Sequence, residues 1–145
     1  MLLILRNGKM EINKLYNYAE ESGITVDFMP LKENLAFSLD LNGKGFIALD
    51  KGLVGRTAAE RVALAHELGH LATGAVYCPS DDPKTILKNE QAAHRWAINL
   101  LVPYPKLVEA LKDGDEDLST LSDRFGVTED FMQKVLIHYS QSKSA

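Results

Sequence analysis

The chain has 145 residues, 46% of them apolar and 25% charged, with a net charge of −4; this composition fits one globular domain able to bury a core without staples. The negative balance argues against a dominant nucleic-acid surface, and a single cysteine, Cys78, excludes an internal disulfide and a cysteine zinc cluster. No apolar run approaches the roughly 20 residues that span a bilayer, and Leu2–Leu5 is far shorter than a secretory core, so a cytoplasmic protein is expected.

The reading in chain order is α+β, with one domain over 1–145: a helix plus small sheet in 1–55, two helices carrying a metal site in 56–102, and a helical tail in 103–145. Glu11 to Ser22 has helix-forming composition, with Ile12, Leu15 and Ala19 along one side and Gly23 as a stop. Ile24 to Met29 alternates apolar and polar residues as a half-buried strand does, and Pro30 ends it. Leu35 to Leu41 alternates as well, with Leu35, Phe37, Leu39 and Leu41 on one side. Asn42-Gly43 then signals a hairpin whose second strand is Phe46 to Leu49. The expected sheet is three-stranded and largely antiparallel. An exposed edge strand of it can hold an extended peptide by main-chain hydrogen bonds; the alternative is a hairpin that only covers core.

Thr57 to Thr73 reads as one helix containing His66-Glu67-Leu68-Gly69-His70. Residues four apart share a helical face, so both imidazoles can reach one cation. Zinc accepts neutral nitrogen ligands at roughly 2.0–2.1 Å and lowers the pKa of a bound water to about 7, and Glu67 beside that face can take the water's proton. Gly69 removes bulk between the ligands and Gly74 is placed to end the helix.

Gly74 to Pro83 is a loop in which Asp81 and Asp82 suit a turn or helix cap better than a metal. Tyr77 can pack, or can donate to a transition-state oxyanion. Lys84 to Val102 is helical and stops at Pro103; Glu90, Ala93, Ala97, Leu100 and Leu101 share one face. A carboxylate on a close-packed apolar face is costly unless paired or bound to metal, which makes Glu90 the candidate third ligand. His94, four residues on, can replace Glu90, close the site as a fourth ligand, stand behind the ligands, or simply pack.

Leu107–Leu111 continues a short helix. Leu121 to Thr128 then resembles the first helix and turn of a helix-turn-helix, with Glu129 to Tyr139 in the recognition position. Glu129 and Asp130 would meet phosphates there, so a packing role is expected instead of DNA binding. Ser140–Ala145 is expected to fray.

His66-Glu67-Leu68-Gly69-His70 followed by Asn89-Glu90-Gln91-Ala92-Ala93 resembles the two-part zinc motif of the gluzincin metallopeptidases. With Trp96-Ala97 and Leu100-Leu101-Val102-Pro103 the chain resembles, more particularly, the ImmA/IrrE family. The resemblance implies that His66, His70 and Glu90 ligate Zn2+ and that Glu67 is the general base. The implied activity is cleavage of a helix-turn-helix repressor of a prophage or mobile element. A metzincin reading fails because Thr73 and Val76 stand where Gly and a third His are required. No direct nucleic-acid or membrane partner is expected. The alternatives are a regulatory protein that binds such a repressor without cutting it and, behind that, a DNA-binding module.

Overall fold

Asn42 (φ 54°) and Gly43 (φ 85°) both occupy the left-handed region that a tight two-residue hairpin demands. In the computed structural model, which describes residues 9–32 and 35–144, this turn joins β2 (Ala36–Leu41) to β3 (Lys44–Asp50) as an antiparallel pair. The expectations for Leu2–Leu5 and Ala145 lie outside the described residues. Helix α1 (Ile12–Glu21) precedes β1 (Thr25–Met29), and a single 3₁₀ turn, Lys51–Leu53, follows the sheet. Then come α2 (Thr57–Ala72), α3 (Pro83–Leu101), α4 (Tyr104–Lys112), α5 (Leu118–Phe125) and α6 (Glu129–Ser144).

The fold is α+β, and its sheet has the order β1-β3-β2. The β2/β3 ladder is antiparallel as expected, whereas β1 pairs with β3 in parallel, so the sheet is mixed. The connection from β1 crosses to the far side of β3, because the hairpin already fixes β2 on one flank and leaves only the other flank for β1. The central strand is the apolar one, with Ile47, Ala48 and Leu49 fully buried.

Strand β2 departs from its expected orientation. The side carrying Leu35, Phe37, Leu39 and Leu41 is solvent-exposed at 53, 38, 40 and 58%. The small side, Ala36 and Ser38, is paired beside the buried Leu49 and Ile47 and faces the helices. Close approach to α2 excludes large side chains there, so the apolar row turns outward.

One apolar cluster draws on every helix: Leu15 of α1, Leu64 and Leu68 of α2, Ile98 and Leu101 of α3, Leu107 of α4, Leu121 and Phe125 of α5, and Met132 and Val135 of α6. Phe131, Met132, Val135 and Tyr139 place one face of α6 in this core, so the second helix of the helix-turn-helix-like pair serves packing, and Gly126 (φ 65°) makes its turn. Helix α6 runs on to Ser144, through the stretch from Ser140 expected to fray, since no Gly or Pro follows Gly126 to interrupt it. Among the described residues no helix is long and apolar enough to cross a membrane.

Two buried charges tie the ends of this assembly. Arg61 donates from Nε to the Met10 carbonyl at 2.8 Å and from Nη1 to the Gly126 carbonyl, joining α2 to the α5–α6 turn. Its neighbour Glu60 accepts from the Tyr16 hydroxyl of α1 and from the Gly55 amide at 3.3 Å. Burial pushes the Tyr16 phenol well above its ordinary pKa, and the Glu60 hydrogen bond and charge add to the effect.

Helices α2 and α3 meet at Gly69, where an added Cβ would stand 2.6 Å from the Ala93 carbonyl oxygen. Because that neighbour is backbone, relief requires the helices to move apart. Gly69→Ala should therefore destabilise the protein by about 1–3 kcal/mol, the usual cost of an overpacked core position. Thermal unfolding measures this, and an unchanged Tm would show that the two helices have slack at this point.

Candidate metal centre

The sixteen residues of α2 carry His66, Glu67 and His70 in its last two turns. Gly74 (φ 69°) follows, and the Ala75 amide donates back to the His70 carbonyl at 2.8 Å, which closes the helix with a left-handed residue. Helix α3 is started by Asp82, whose side chain accepts from the Thr85 amide at 3.0 Å, with Pro83 in the first turn. Because Gly69 and Ala93 let the helices touch, Glu90 of α3 reaches both histidines.

His66 Nε2 lies 2.9 Å from Glu90 Oε1, and His70 Nε2 lies 3.0 Å from Glu90 Oε2. The ligand atoms of the three residues all fall within 4.8 Å of one another. Atoms bound tetrahedrally at about 2.0–2.2 Å from one ion stand roughly 3.3 Å apart, so this cluster has the dimensions of a metal site. The chemistry fits as well. His70 Nδ1 stands 2.8 Å from the Ala75 carbonyl, which only accepts, so Nδ1 carries a hydrogen. In that tautomer the lone pair is on Nε2, facing a carboxylate oxygen: two acceptors in contact, which a bound cation reconciles. His66, His70 and Glu90 can therefore hold a metal ion, beside a cleft lined by Glu67, His70 and Glu90.

Glu67 is 7% exposed, and the Ser38 hydroxyl of β2 interacts with its carboxyl. Burial pushes its carboxyl above the ordinary range, and His66, Ser38 and His70 partly oppose that rise. Glu90 goes the other way. Its burial favours the neutral acid, but the Tyr77 hydrogen bond together with His66 and His70 outweighs it and holds the pKa below the usual value. Two carboxyls around one cluster are thus shifted in opposite directions by their surroundings.

Tyr77 donates to Glu90 Oε2 at 2.7 Å and sets its ring against His70, with centroids 5.7 Å apart. The hydrogen bond to Glu90, with burial and the charges of Glu90 and Glu67, pushes the phenol up to about 12, so it remains a donor at any ordinary pH. The hydroxyl is engaged with a ligand carboxylate. Neither this bond nor the Ser38 contact to Glu67 has a local sequence signal, because the partners come from different elements.

The remaining candidates fall away from the cluster. The ring of His94 packs edge-on against Phe131 of α6, centroids 5.9 Å apart. Burial, then electrostatic interaction with His66, Lys134 and His138, lowers its pKa. Asp81 accepts from the Cys78 amide at 2.9 Å and Asp82 caps α3, so both serve the loop. Among the described residues, the groups that could hold a metal reduce to His66, His70 and Glu90.

The sequence model of peptidase family M78, described as the IrrE N-terminal-like domain, matches residues 19–136. Comparison with curated proteins and with solved structures finds no match. The match covers the sheet, both site helices and most of the tail, and it includes His66, Glu67, His70 and Glu90.

Partners that orient a metal-binding carboxylate typically contribute about 10–100-fold in metal affinity. Tyr77→Phe keeps the ring against His70 and deletes the donor to Glu90, so affinity for a divalent cation should fall about tenfold with Tm little changed. Competition titration against a chromophoric chelator reads this directly; equal affinity would show that Tyr77 only packs.

Proposed function

The chain belongs to peptidase family M78, the IrrE N-terminal-like domains, and on that footing we propose that it is a cytoplasmic zinc-dependent endopeptidase acting on a helix-turn-helix repressor of a prophage or mobile element. The observation that carries the reading is the meeting of two imidazoles and one carboxylate from α2 and α3, with a second, buried carboxylate beside them. Nitrogen and oxygen donors in a three-residue set that leaves an open position suit catalytic zinc better than a closed structural site. Zinc, when bound, supplies a Lewis acid for the scissile carbonyl and lowers the pKa of water toward about 7.

The work of this chain is positioning and proton transfer. Glu67, held by Ser38, accepts the proton of the attacking water and delivers it to the departing amine as the peptide C–N bond breaks. Tyr77 fixes the plane of the Glu90 carboxylate, and the Ala75 carbonyl fixes the tautomer of His70.

The substrate approaches along β2. This strand is an edge of the sheet, and the cleft beside it is bounded by Ala36 to Leu39 on one side and Val76, Tyr77 and Pro79 on the other. With a volume of about 270 Å³ the cleft takes a few side chains, so a longer peptide lies across it, extended along the strand. The Asp50 amide donates to the Leu35 carbonyl at 2.9 Å. Antiparallel alternation then directs the amides and carbonyls of Phe37 and Leu39 at β3, and those of Ala36 and Ser38 at the open edge.

Glu67→Gln should retain zinc and lose at least about a hundredfold in cleavage of the cognate repressor, the scale of a general base. The assay is zinc content beside gel-resolved cleavage of neighbouring repressors, with a chelated control; undiminished cleavage removes Glu67 from the mechanism. An intact repressor in stoichiometric complex with the zinc-loaded wild type would mark a regulator that binds without cutting. Ala36→Pro, which deletes an edge amide that β3 does not use, should raise KM several-fold with kcat and Tm little changed. An unchanged KM would move the substrate off this edge.

A further inference from the structure

The outward row of β2 calls for an explanation. Single exposed apolar residues are ordinary on protein surfaces, but Leu35, Phe37 and Leu39 recur at every second position of an edge strand, at 53, 38 and 40% exposure. Edge strands are commonly blunted by charge, proline or a bulge. The stretch Leu35-Ala36-Phe37-Ser38-Leu39 has no charge and no proline, and its ladder with β3 advances one residue for one residue, without a bulge. Asp40 is the first charge along it. Phe37 and Leu39 also line the cleft that contains Glu67, His70 and Glu90. An adhesive edge therefore runs directly into the candidate site.

We propose that Phe37 and Leu39 set the specificity of this edge: the bound segment is an extended peptide with apolar side chains at the two positions flanking the residue opposite Ser38. The inference rests on the peptidase reading for its chemistry and adds a substrate class to it. Main-chain groups of Ala36 and Ser38 hold the added strand. Its residues opposite Phe37 and Leu39 then form the pairs without mutual hydrogen bonds, in which facing side chains are closest. Those side chains point to the outer face of the sheet and cover the aromatic and leucine rows. The residue opposite Ser38 points the other way, toward α2 and Glu67. The resulting signature has a period of two: apolar, any, apolar, with the middle residue facing the metal cluster.

Binding to the zinc-loaded Glu67→Gln protein tests this without depending on cleavage. The probes are two fluorescein-labelled, end-blocked peptides of identical composition with lysine flanks, one alternating leucine and threonine, the other with its leucines in one block. The alternating peptide should bind roughly tenfold more tightly by anisotropy, as two good cross-strand pairs allow. That advantage should collapse to within about twofold when Phe37→Ser and Leu39→Ser are combined in the same background, with Tm and zinc content unchanged. Equal affinities, no measurable binding of either peptide, or an advantage that survives the double substitution overturns the proposal. So does a dimer of the chain, seen by sedimentation, that the double substitution dissolves, since the row would then be a self-association surface. If the alternating peptide binds as expected while wild type cleaves neither it nor any repressor, the hydrolytic reading fails and the docking rule stands.

Discussion

The arrangement depends on one carboxylate from α3 meeting two imidazoles of α2, at 2.9 and 3.0 Å. His66 Nε2 can donate to it, whereas the His70 ring has its hydrogen committed on the other side, to the Ala75 carbonyl. At His70 two acceptors therefore face each other, a contact that a bound cation relieves. The helices are nevertheless held together, because the Gly69–Ala93 contact fixes their separation and the apolar residues of α2, α3 and α6 fill the space behind it. Packing thus holds together, from two helices, three side chains that could bind one metal ion.

The elements far from the cluster matter because they fix α2. Arg61 reaches the Met10 and Gly126 carbonyls, and Glu60 receives the Tyr16 hydroxyl and the Gly55 amide, so the first turns of the helix are tied to α1, to the chain leaving the sheet and to the α5–α6 turn. Buried polar groups satisfied in this way define a single register more sharply than apolar contacts do. The helix-turn-helix-like pair at the end of the chain acts here as a clamp. Its Gly126 carbonyl is occupied by Arg61, and Phe131 covers His94.

Strand β2 connects Glu67 and the surface. Ser38 holds Glu67 from the inner side, the main-chain groups of Ala36 and Ser38 face the open edge, and Phe37 and Leu39 project outward. In the proposed reading, a peptide added to that edge is read on one face by the apolar row and presented on the other to Glu67. The close approach of α2 reserves the inner side for small residues, so the strand departs from the common rule that the apolar side of an amphipathic strand faces the core.

Much of this was legible in the sequence. Histidines four apart on a helix with a glutamate between them share a face by helical geometry alone, and Glu90 stood out because a carboxylate on an alanine-rich face must have a partner. Asn42-Gly43 and Pro103 marked a hairpin and a helix end through backbone stereochemistry. These are local properties, governed by residues a few positions apart. Tertiary structure alone decided the parallel seat of β1, the outward turn of Leu35, Phe37, Leu39 and Leu41, the Tyr77 bond to Glu90 and the Ser38 bond to Glu67. Alternation reveals that a strand has two faces but not which of them a helix will cover, and a hydroxyl has no local signature of the carboxylate it will meet from another element. Those outcomes depend on which surfaces the packed helices leave available, a constraint that exists only once the whole chain is assembled.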